Sequence, residues 1–163
     1  MKMESGLDAV LSVFIRYSEL SAVKYDVERD LVKIEIALND RVPDEQVQLF
    51  TKRYRKSMEL FYQMLNYQPV TIELGSIEKS GITILRIYRD GLTIREEEME
   101  LSVRLLRQEF DSLLVRDDND IVTGAILNGE VKESLLQKIR EYHQPYHNIF
   151  AYRDEGRVFV FNK

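Results

Sequence analysis

The side chains best suited to chemistry lie near the carboxyl end of the sequence. His143 and His147, the only histidines in the chain, flank Pro145, and Asp154 and Glu155 follow in a predicted turn. Imidazole and carboxylate groups are common ligands of divalent metals, so these four side chains form a candidate metal site for a small metal-dependent enzyme. Pro145 interrupts the helix that would align two imidazoles four residues apart. The favoured interpretation is therefore two surface histidines near a helix end.

The composition removes most other kinds of catalytic site. The chain has no cysteine, which excludes thiol catalysis, disulfides and cysteine-ligated zinc. It also lacks the G-x-S-x-G sequence that marks a nucleophilic serine. Because the two histidines lie four residues apart, a histidine base is restricted to one turn of the chain. We therefore predict no catalytic residues and no cofactor, and we favour a protein that is not an enzyme.

The densest basic cluster lies in a long predicted helix. Its four side chains are Lys52, Arg53, Arg55 and Lys56. At 100° per residue they lie opposite Tyr54 and Met58, so they form the solvent-facing side of that helix. Arg55 precedes Glu59 by four residues, a spacing that partly neutralises the cluster. Such a face is able to bind an acidic protein partner or the phosphates of a nucleic acid.

Aromatic residues in the last predicted hairpin give a second reason to consider nucleic acid. They are Phe150, Tyr152, Phe159 and Phe161, with Arg153 and Arg157 beside them. Aromatic rings on a strand are able to stack on bases. However, Val158 and Val160 make the other face of the strand apolar, which is more typical of a buried strand or an interface. The net charge of -5 also argues against a dedicated nucleic-acid-binding protein.

Two predicted helices carry more apolar side chains than packing on one sheet requires. Five of these fall outside the main apolar stripe of their helix: Leu49, Leu60 and Met64 in the first, and Leu101 and Leu105 in the second. A second apolar stripe must be covered by another part of the chain or by another chain. Burying one leucine contributes roughly 1.5–3 kcal/mol, so we predict a homodimer with these five residues at its interface. The alternative is that the carboxyl-terminal segment covers them within one molecule.

Hydrophobic periodicity predicts an α+β fold. Segments with a helical period alternate with segments of period two, and polar turns join strands into hairpins. The predicted order is α-β-β-α-β-β-β-α followed by β-α-β-β, which gives a mainly antiparallel sheet with helices packed on it. The helices are predicted at 7–20, 43–66, 96–113 and 129–142, with Thr93 and Glu96 forming a capping box before the third. The fifth predicted strand is a short one at 92–94, after a tight turn at Asp90 and Gly91.

A polar break at residues 116–120 divides these elements into two groups. Residues 1–116 form the main α+β unit, and residues 117–163 form a β-α-β-β extension that we expect to pack on it as one compact domain. The sequence has no run of 18 or more apolar residues and no signal-like apolar segment at its start. We therefore expect a cytoplasmic protein without membrane contact.

Together these features predict a soluble binding, regulatory or scaffold protein without catalytic machinery, which works as a homodimer. Two alternatives stay open. One is a nucleic-acid-binding protein that uses the basic helix face and the aromatic hairpin. The other is a small metal-dependent enzyme centred on His143 and His147.

Overall fold

The computed structural model describes residues 6–116, 148–154 and 157–162 of the chain. In these ranges the elements are α1 (Gly6–Arg16), β1 (Ala22–Asp26), β2 (Leu31–Leu38), α2 (Asp44–Leu65), β3 (Ile72–Lys79), β4 (Ile82–Asp90), α3 (Glu96–Phe110), a 3-10 turn (Asp111–Leu113), β5 (Ile149–Asp154) and β6 (Arg157–Asn162). The strands form one sheet in the order β3-β4-β2-β1-β5-β6. Every neighbouring pair is antiparallel. The predicted α+β class with a mainly antiparallel sheet is confirmed.

One face of the sheet is buried in the core. Successive side chains of a strand point to opposite faces, and in β2 the buried positions alternate as that rule requires: Val32, Ile34, Ile36 and Leu38. In β4 the side chains of Leu85, Ile87 and Arg89 are buried on the same face. The intervening residues of both strands are only half-buried. The period-two pattern in the sequence therefore predicted correctly which face of the sheet is covered.

The three helices in the described ranges pack on that face. α1 is buried on most of its surface, including Leu11 and Phe14. α2 and α3 each contribute one line of buried side chains to the same core, including Tyr54 and Met58 from α2 and Val103 and Leu106 from α3. In α2 the buried residues recur every four positions, from Phe50 to Tyr62. This is the spacing that keeps one side of a helix against a sheet. α2 ends at Leu65 and is capped by Asn66, whose positive φ of 58° gives the left-handed C-cap typical of asparagine and glycine.

The predicted short strand at 92–94 is absent from the structure. β4 ends at Asp90, and the chain turns directly into α3. Two carboxylates stabilise the turn, because Asp90 accepts the backbone N–H of Thr93 and Asp30 accepts that of Leu92. The predicted capping box is wrong for the same reason. The hydroxyl of Thr93 donates to Asp90, and α3 begins after Arg95, which makes no side-chain cap.

The carboxyl-terminal hairpin extends the sheet. β5 pairs with β1, from Ala22 opposite Tyr152 to Tyr25 opposite Ile149, and β6 pairs with β5 along the edge. After α3, the chain forms a further bridge from Leu114 to Leu38. The predicted strand at 121–127 and helix at 129–142 lie outside the described residues. The first helix ends at Arg16, earlier than the predicted residue 20.

The start of α1 contacts the turn after β4 without room for a side chain. A Cβ atom built on Gly6 would lie 2.0 Å from the carbonyl oxygen of Gly91 and 2.5 Å from Ile94 Cγ2. Because the first obstacle is backbone, neither segment is able to move aside as a side chain would. α1 is therefore seated on this turn by direct backbone contact.

We expect Gly6→Ala to lower the free energy of unfolding by about 1–3 kcal/mol, because the added methyl group overpacks this contact. Gly75→Ala is the matched control. A Cβ on Gly75 would meet only a ring carbon of Tyr88 at 4.0 Å, an ordinary contact. Urea denaturation of both variants measures the difference, and equal stabilities would contradict the contact between α1 and the turn.

Candidate functional site

The predicted metal site is only partly within the described residues. His143, His147 and Glu155 lie outside them, whereas Asp154 is exposed at the end of β5. Within 6–116, 148–154 and 157–162, no group of three or more histidine, aspartate or glutamate side chains is placed to hold a metal ion. The described part of the chain therefore supplies one of the four predicted metal ligands, Asp154.

The predicted basic cluster lies on the exposed side of α2. All four of its side chains are exposed, whereas Tyr54 and Met58 are buried on the opposite side of the helix, as the periodicity predicted. Arg53 pairs with Glu109 of α3 across 2.9 Å. The other three cations, Lys52, Arg55 and Lys56, form no ion pair with any side chain in the described ranges, and the expected pair between Arg55 and Glu59 is not formed.

The five predicted interface residues divide into two groups. Three on α2 are exposed to solvent: Leu49 at 47%, Leu60 at 59% and Met64 at 76%. Leu101 and Leu105 of α3 are half-buried and pack against the core of their own molecule. The structure thus leaves the three α2 side chains as the part of the predicted interface that is uncovered among the described residues. We call these three residues, together with Lys52, Arg53 and Lys56, the outer α2 face. At 100° per residue, Arg55 lies about 140° from Leu60 and is not part of it.

A groove between α2 and α3 brings the two predicted sets together. It has a volume of about 480 Å³, and its walls include Leu60 and Lys56 of α2 and Leu105 of α3. This volume is within the range of small-molecule pockets. However, such pockets have convergent polar groups, whereas in this groove Arg53 and Glu109 pair with each other and the third charged side chain, Lys56, is exposed. The groove is better suited to the side chains of another polypeptide.

The aromatic hairpin lies on the other side of the molecule. The rings of Phe150 and Tyr152 stack at 5.8 Å, and those of Tyr152 and Phe159 at 5.2 Å. By the register of β5, these rings are on the sheet face opposite to the helices, since the alternate residue Ala151 is buried in the core. Arg153 also points to the core side, where it donates to the carbonyl oxygens of Phe14 and Tyr17.

This placement separates the two parts of the predicted nucleic-acid surface. The basic residues are on α2, and the aromatic rings are on the far face of the sheet. A single strand of nucleic acid would have to pass around the sheet to contact both. The structure therefore does not bring the basic cluster and the aromatic rings into one site.

A polar cluster in the core was not predicted from the sequence. Arg89 of β4 and Glu98 of α3 have fully buried side chains and form a two-point ion pair, with Nε to Oε2 at 2.5 Å and Nη2 to Oε1 at 2.8 Å. Arg89 also pairs with Asp90 and donates to the carbonyl oxygen of Thr71. The carboxylate of Glu98 accepts the hydroxyl of Tyr62 at 2.9 Å. We call this set of residues the Arg89–Glu98 cluster.

The ionisable groups of the cluster all have partners, and their pKa shifts favour the protonation states in which these bonds form. Burial by itself lowers the pKa of Arg89, but the hydrogen bonds and charge of Glu98 outweigh burial and raise it above its usual value. Burial and the charge of Glu98 raise the pKa of Tyr62 and of Tyr67, which donates to Glu98 Oε1 at 3.0 Å. The phenols therefore remain protonated donors at neutral pH. Since every charge has a partner, the cluster holds elements together and offers no open position for a substrate.

The sequence contained a signal for this cluster. Arg89 follows Leu85 and Ile87 at intervals of two, so the strand pattern places it on the core face. Glu98 precedes the buried Ser102 by four residues, so the helical pattern places it on an inward side of α3. Both residues are charged, a residue type that is rarely buried without a partner. Their positions in the two patterns indicate a buried pair.

Comparison with protein-family models, with curated proteins and with solved structures gives no significant match for this chain. Among the helices of the described residues, none is both long and apolar enough to cross a membrane.

We expect Tyr62→Phe to lower the free energy of unfolding by about 1.5–3 kcal/mol, the usual contribution of a hydrogen bond to a charged group. Tyr88→Phe is the control, because the half-buried Tyr88 forms no side-chain hydrogen bond with the described residues. Chemical denaturation checks the pair of variants. Equal decreases in the free energy of unfolding for both variants would show that the hydrogen bond from Tyr62 to Glu98 contributes nothing to stability.

Asp90 makes the stability that the cluster contributes depend on pH in the acidic range. Burial by itself raises the pKa of its carboxyl group, whereas hydrogen bonds from Thr71 and Thr93 and the charge of Arg89 lower it, and the result lies below the ordinary value. A depressed pKa in the folded state stabilises the protein above the unfolded pKa of about 3.9. That contribution is lost as the pH falls through the folded value.

We therefore expect the free energy of unfolding to fall below about pH 4, and to fall less steeply in Asp90→Asn. Unfolding curves measured between neutral and acidic pH test this expectation. Glu73→Gln removes an exposed carboxylate as the control. An acid dependence in Asp90→Asn as steep as in the unmodified chain would exclude Asp90 as its source.

Proposed function

We propose that this chain is a non-catalytic binding module and that it binds another polypeptide through the outer α2 face. The observation that carries the proposal is the exposure of Leu49, Leu60 and Met64 on a helix whose opposite side is fully buried. A helix packed on one sheet needs only one apolar stripe. The second stripe of α2 is therefore available for a partner.

The energy of covering these side chains supports a binding role. Moving one leucine from water to a protein interface contributes roughly 1.5–3 kcal/mol before the costs of association. Leu60 lies in the wall of the α2–α3 groove, where Leu105 is half-buried and supplies further apolar surface. A partner side chain in this groove would contact both helices. This arrangement supports binding to a polypeptide more than binding to a small ligand.

The polar groups near the outer α2 face do not support a reaction. Glu109, a carboxylate of the groove, is engaged by Arg53. The buried ionisable groups of the Arg89–Glu98 cluster are all paired with one another. General acid–base catalysis needs a group with a proton to give or accept within reach of a substrate. The proposal is accordingly one of recognition and not of catalysis.

Self-association is the second candidate, in the form of the homodimer that the sequence predicts. One observation favours it: Leu49 and Leu60 lie at equal distances from the middle of α2. Two copies of the helix packed antiparallel would therefore place Leu49 of one copy against Leu60 of the other. Light scattering tests this candidate. A mass of two 19.3 kDa chains that falls to one in Leu60→Glu with Met64→Glu would support it.

The same double substitution tests the main proposal through stability. We expect Leu60→Glu with Met64→Glu to change the free energy of unfolding by less than about 0.5 kcal/mol, because both side chains lie on the surface. Met58→Glu, two residues from Leu60 but completely buried, is expected to prevent folding. Urea denaturation of dilute protein is the measurement. A loss of more than about 2 kcal/mol in the double variant would mean that the chain covers this face itself, and would contradict the proposal.

A further inference from the structure

We infer that the outer edge of β3 pairs antiparallel with the same edge of a second copy of this chain, which joins two six-stranded sheets into one. This edge shares no residue with the outer α2 face, so the inference does not depend on the function proposed above. It follows from the unpaired side of β3, from an exposed isoleucine beside a glycine, and from one register that places opposite charges together.

β3 is a long edge strand. It is the first strand in the order of the sheet, and among the described residues no strand lies beyond it. Its pairing with β4 runs without a bulge from Ile72 to Lys79, and its last four residues are exposed. Such an edge is a template for a further strand unless proline, a bulge or charged side chains prevent pairing. β3 has neither proline nor a bulge, so its charged side chains decide which strand fits.

The turn between β3 and β4 determines which backbone groups of β3 point outward. Its two residues, Ser80 and Gly81, have positive φ values of 54° and 83°. In such a two-residue turn the flanking residues, Lys79 and Ile82, form a hydrogen-bonded pair. Because bonded and non-bonded pairs alternate, the odd-numbered residues of β3 bond to β4. The even-numbered residues therefore direct their N–H and C=O groups outward, where no strand of the described residues accepts them.

The middle of β3 offers an apolar contact to a second strand. Ile77 is 37% exposed, on the sheet face opposite to the helices. Gly75 is on the same face, and a Cβ built there would meet, among the described residues, only a ring carbon of Tyr88 at 4.0 Å. Glycine inside a strand often marks a place where another chain approaches. An isoleucine that covers Gly75 from a second strand would also contact Tyr88, and aromatic and β-branched pairs stabilise strand pairing.

One antiparallel register provides this contact and also pairs opposite charges. When Ser76 of both copies lies on the two-fold axis, the outward backbone groups of the two strands face each other. Ile77 then lies opposite Gly75 of the other copy, and Glu73 lies opposite Lys79. The symmetry repeats each pair, so a carboxylate and an ammonium group meet at both ends of the interface. A shift of two residues, the smallest that keeps the backbone groups matched, would place Glu73 opposite Ile77 or Lys79 opposite Gly75.

The charges of β3 are balanced in this register. Glu73 and Lys79 form no ion pair within the described residues, and each acquires one from the other copy. The third charged residue, Glu78, lies opposite Leu74 of the other copy and keeps its own ion pair with Arg41, at 3.2 Å from Nε to Oε1. These four charged residues have no net charge in either copy. The two edges therefore do not repel each other.

Exchange of the charges at positions 73 and 79 tests the register. Within one copy these positions are about 20 Å apart along the strand, so only a second copy allows one substitution to compensate for the other. Sedimentation velocity of the complete chain measures the Kd of the dimer. We expect Lys79→Glu to raise this Kd roughly tenfold at low salt, because carboxylates would then face each other at both ends. Glu73→Lys with Lys79→Glu is expected to return the Kd to within about threefold of that of the unmodified chain.

Two further variants separate the edge from the rest of the surface. Lys24→Glu changes an exposed lysine of the inner strand β1 by the same charge, and its Kd is expected to stay within about twofold. Ile77→Thr keeps a β-branched residue but removes the apolar contact twice, so it is expected to raise the Kd roughly tenfold. Val70→Thr is its control, because Val70 is more exposed but precedes β3.

The outcomes also separate this dimer from the dimer through α2. A dimer that Lys79→Glu weakens, and that Leu60→Glu with Met64→Glu does not, would support pairing at β3 and exclude self-association through α2. Binding of another polypeptide through the outer α2 face would be unaffected. The reverse result, or a monomer at every concentration up to about 0.5 mM, would overturn the inference. A charge-exchanged variant that dissociates as readily as Lys79→Glu would overturn it as well.

Discussion

The buried ion pair between Arg89 and Glu98 determines how two of the helices meet the sheet. Removing both charges from water is costly, and the pair is favourable only because its geometry is good and its remaining hydrogen bonds are satisfied. Those bonds come from Thr71 next to β3, from Tyr62 at the end of α2 and from Tyr67 just beyond it. β4, α2 and α3 are therefore tied to one point. Loss of either charge would leave the other buried without its main partner, which is among the most destabilising changes in a protein core.

The same cluster decides which side of α2 faces solvent. Tyr62 bonds to Glu98 and Tyr54 bonds to Ser102 at 2.7 Å, so two turns of α2 are held against α3 by polar contacts as well as by packing. With that side fixed, Leu49 and Leu60 have to point away from the core. The exposed leucines are thus a consequence of a specific internal arrangement. A face that is exposed by the fold itself, and that combines apolar and basic side chains, has the composition expected of a binding surface.

The parts of the fold that depend on one repeating pattern could be predicted from the sequence. The alternation in β2 and the four-residue spacing from Phe50 to Met58 each follow from which side of the element is buried. The sequence pattern gave a wrong prediction where a side chain forms its hydrogen bond with a residue outside the predicted motif. Thr93 has the right spacing to Glu96 for a capping box, but Asp90 competes for its hydroxyl.

The candidate site was predictable in part for similar reasons. The basic residues and Leu49, Leu60 and Met64 were found from helical geometry alone, because α2 is long and regular. The position of Leu60 and Lys56 beside Leu105 in a groove depends on how α2 packs on α3, which is a tertiary property. The Arg89–Glu98 pair was not predicted, because only apolar residues were used to define the core positions of each pattern. Charged residues at core positions of two separate patterns are a signal that they pair with each other.

The most direct measurement of binding through the outer α2 face is a map of amide chemical shifts in the complete chain, recorded as a helical peptide with leucine at i, i+3, i+4 and i+7 is added. We predict that the largest shifts occur along α2 between Leu49 and Met64 and along the groove side of α3 near Leu105. Strands β5 and β6, on the far side of the molecule, are predicted to be unchanged. Shifts concentrated on the aromatic face of those strands, with α2 unaffected, would contradict binding at this face.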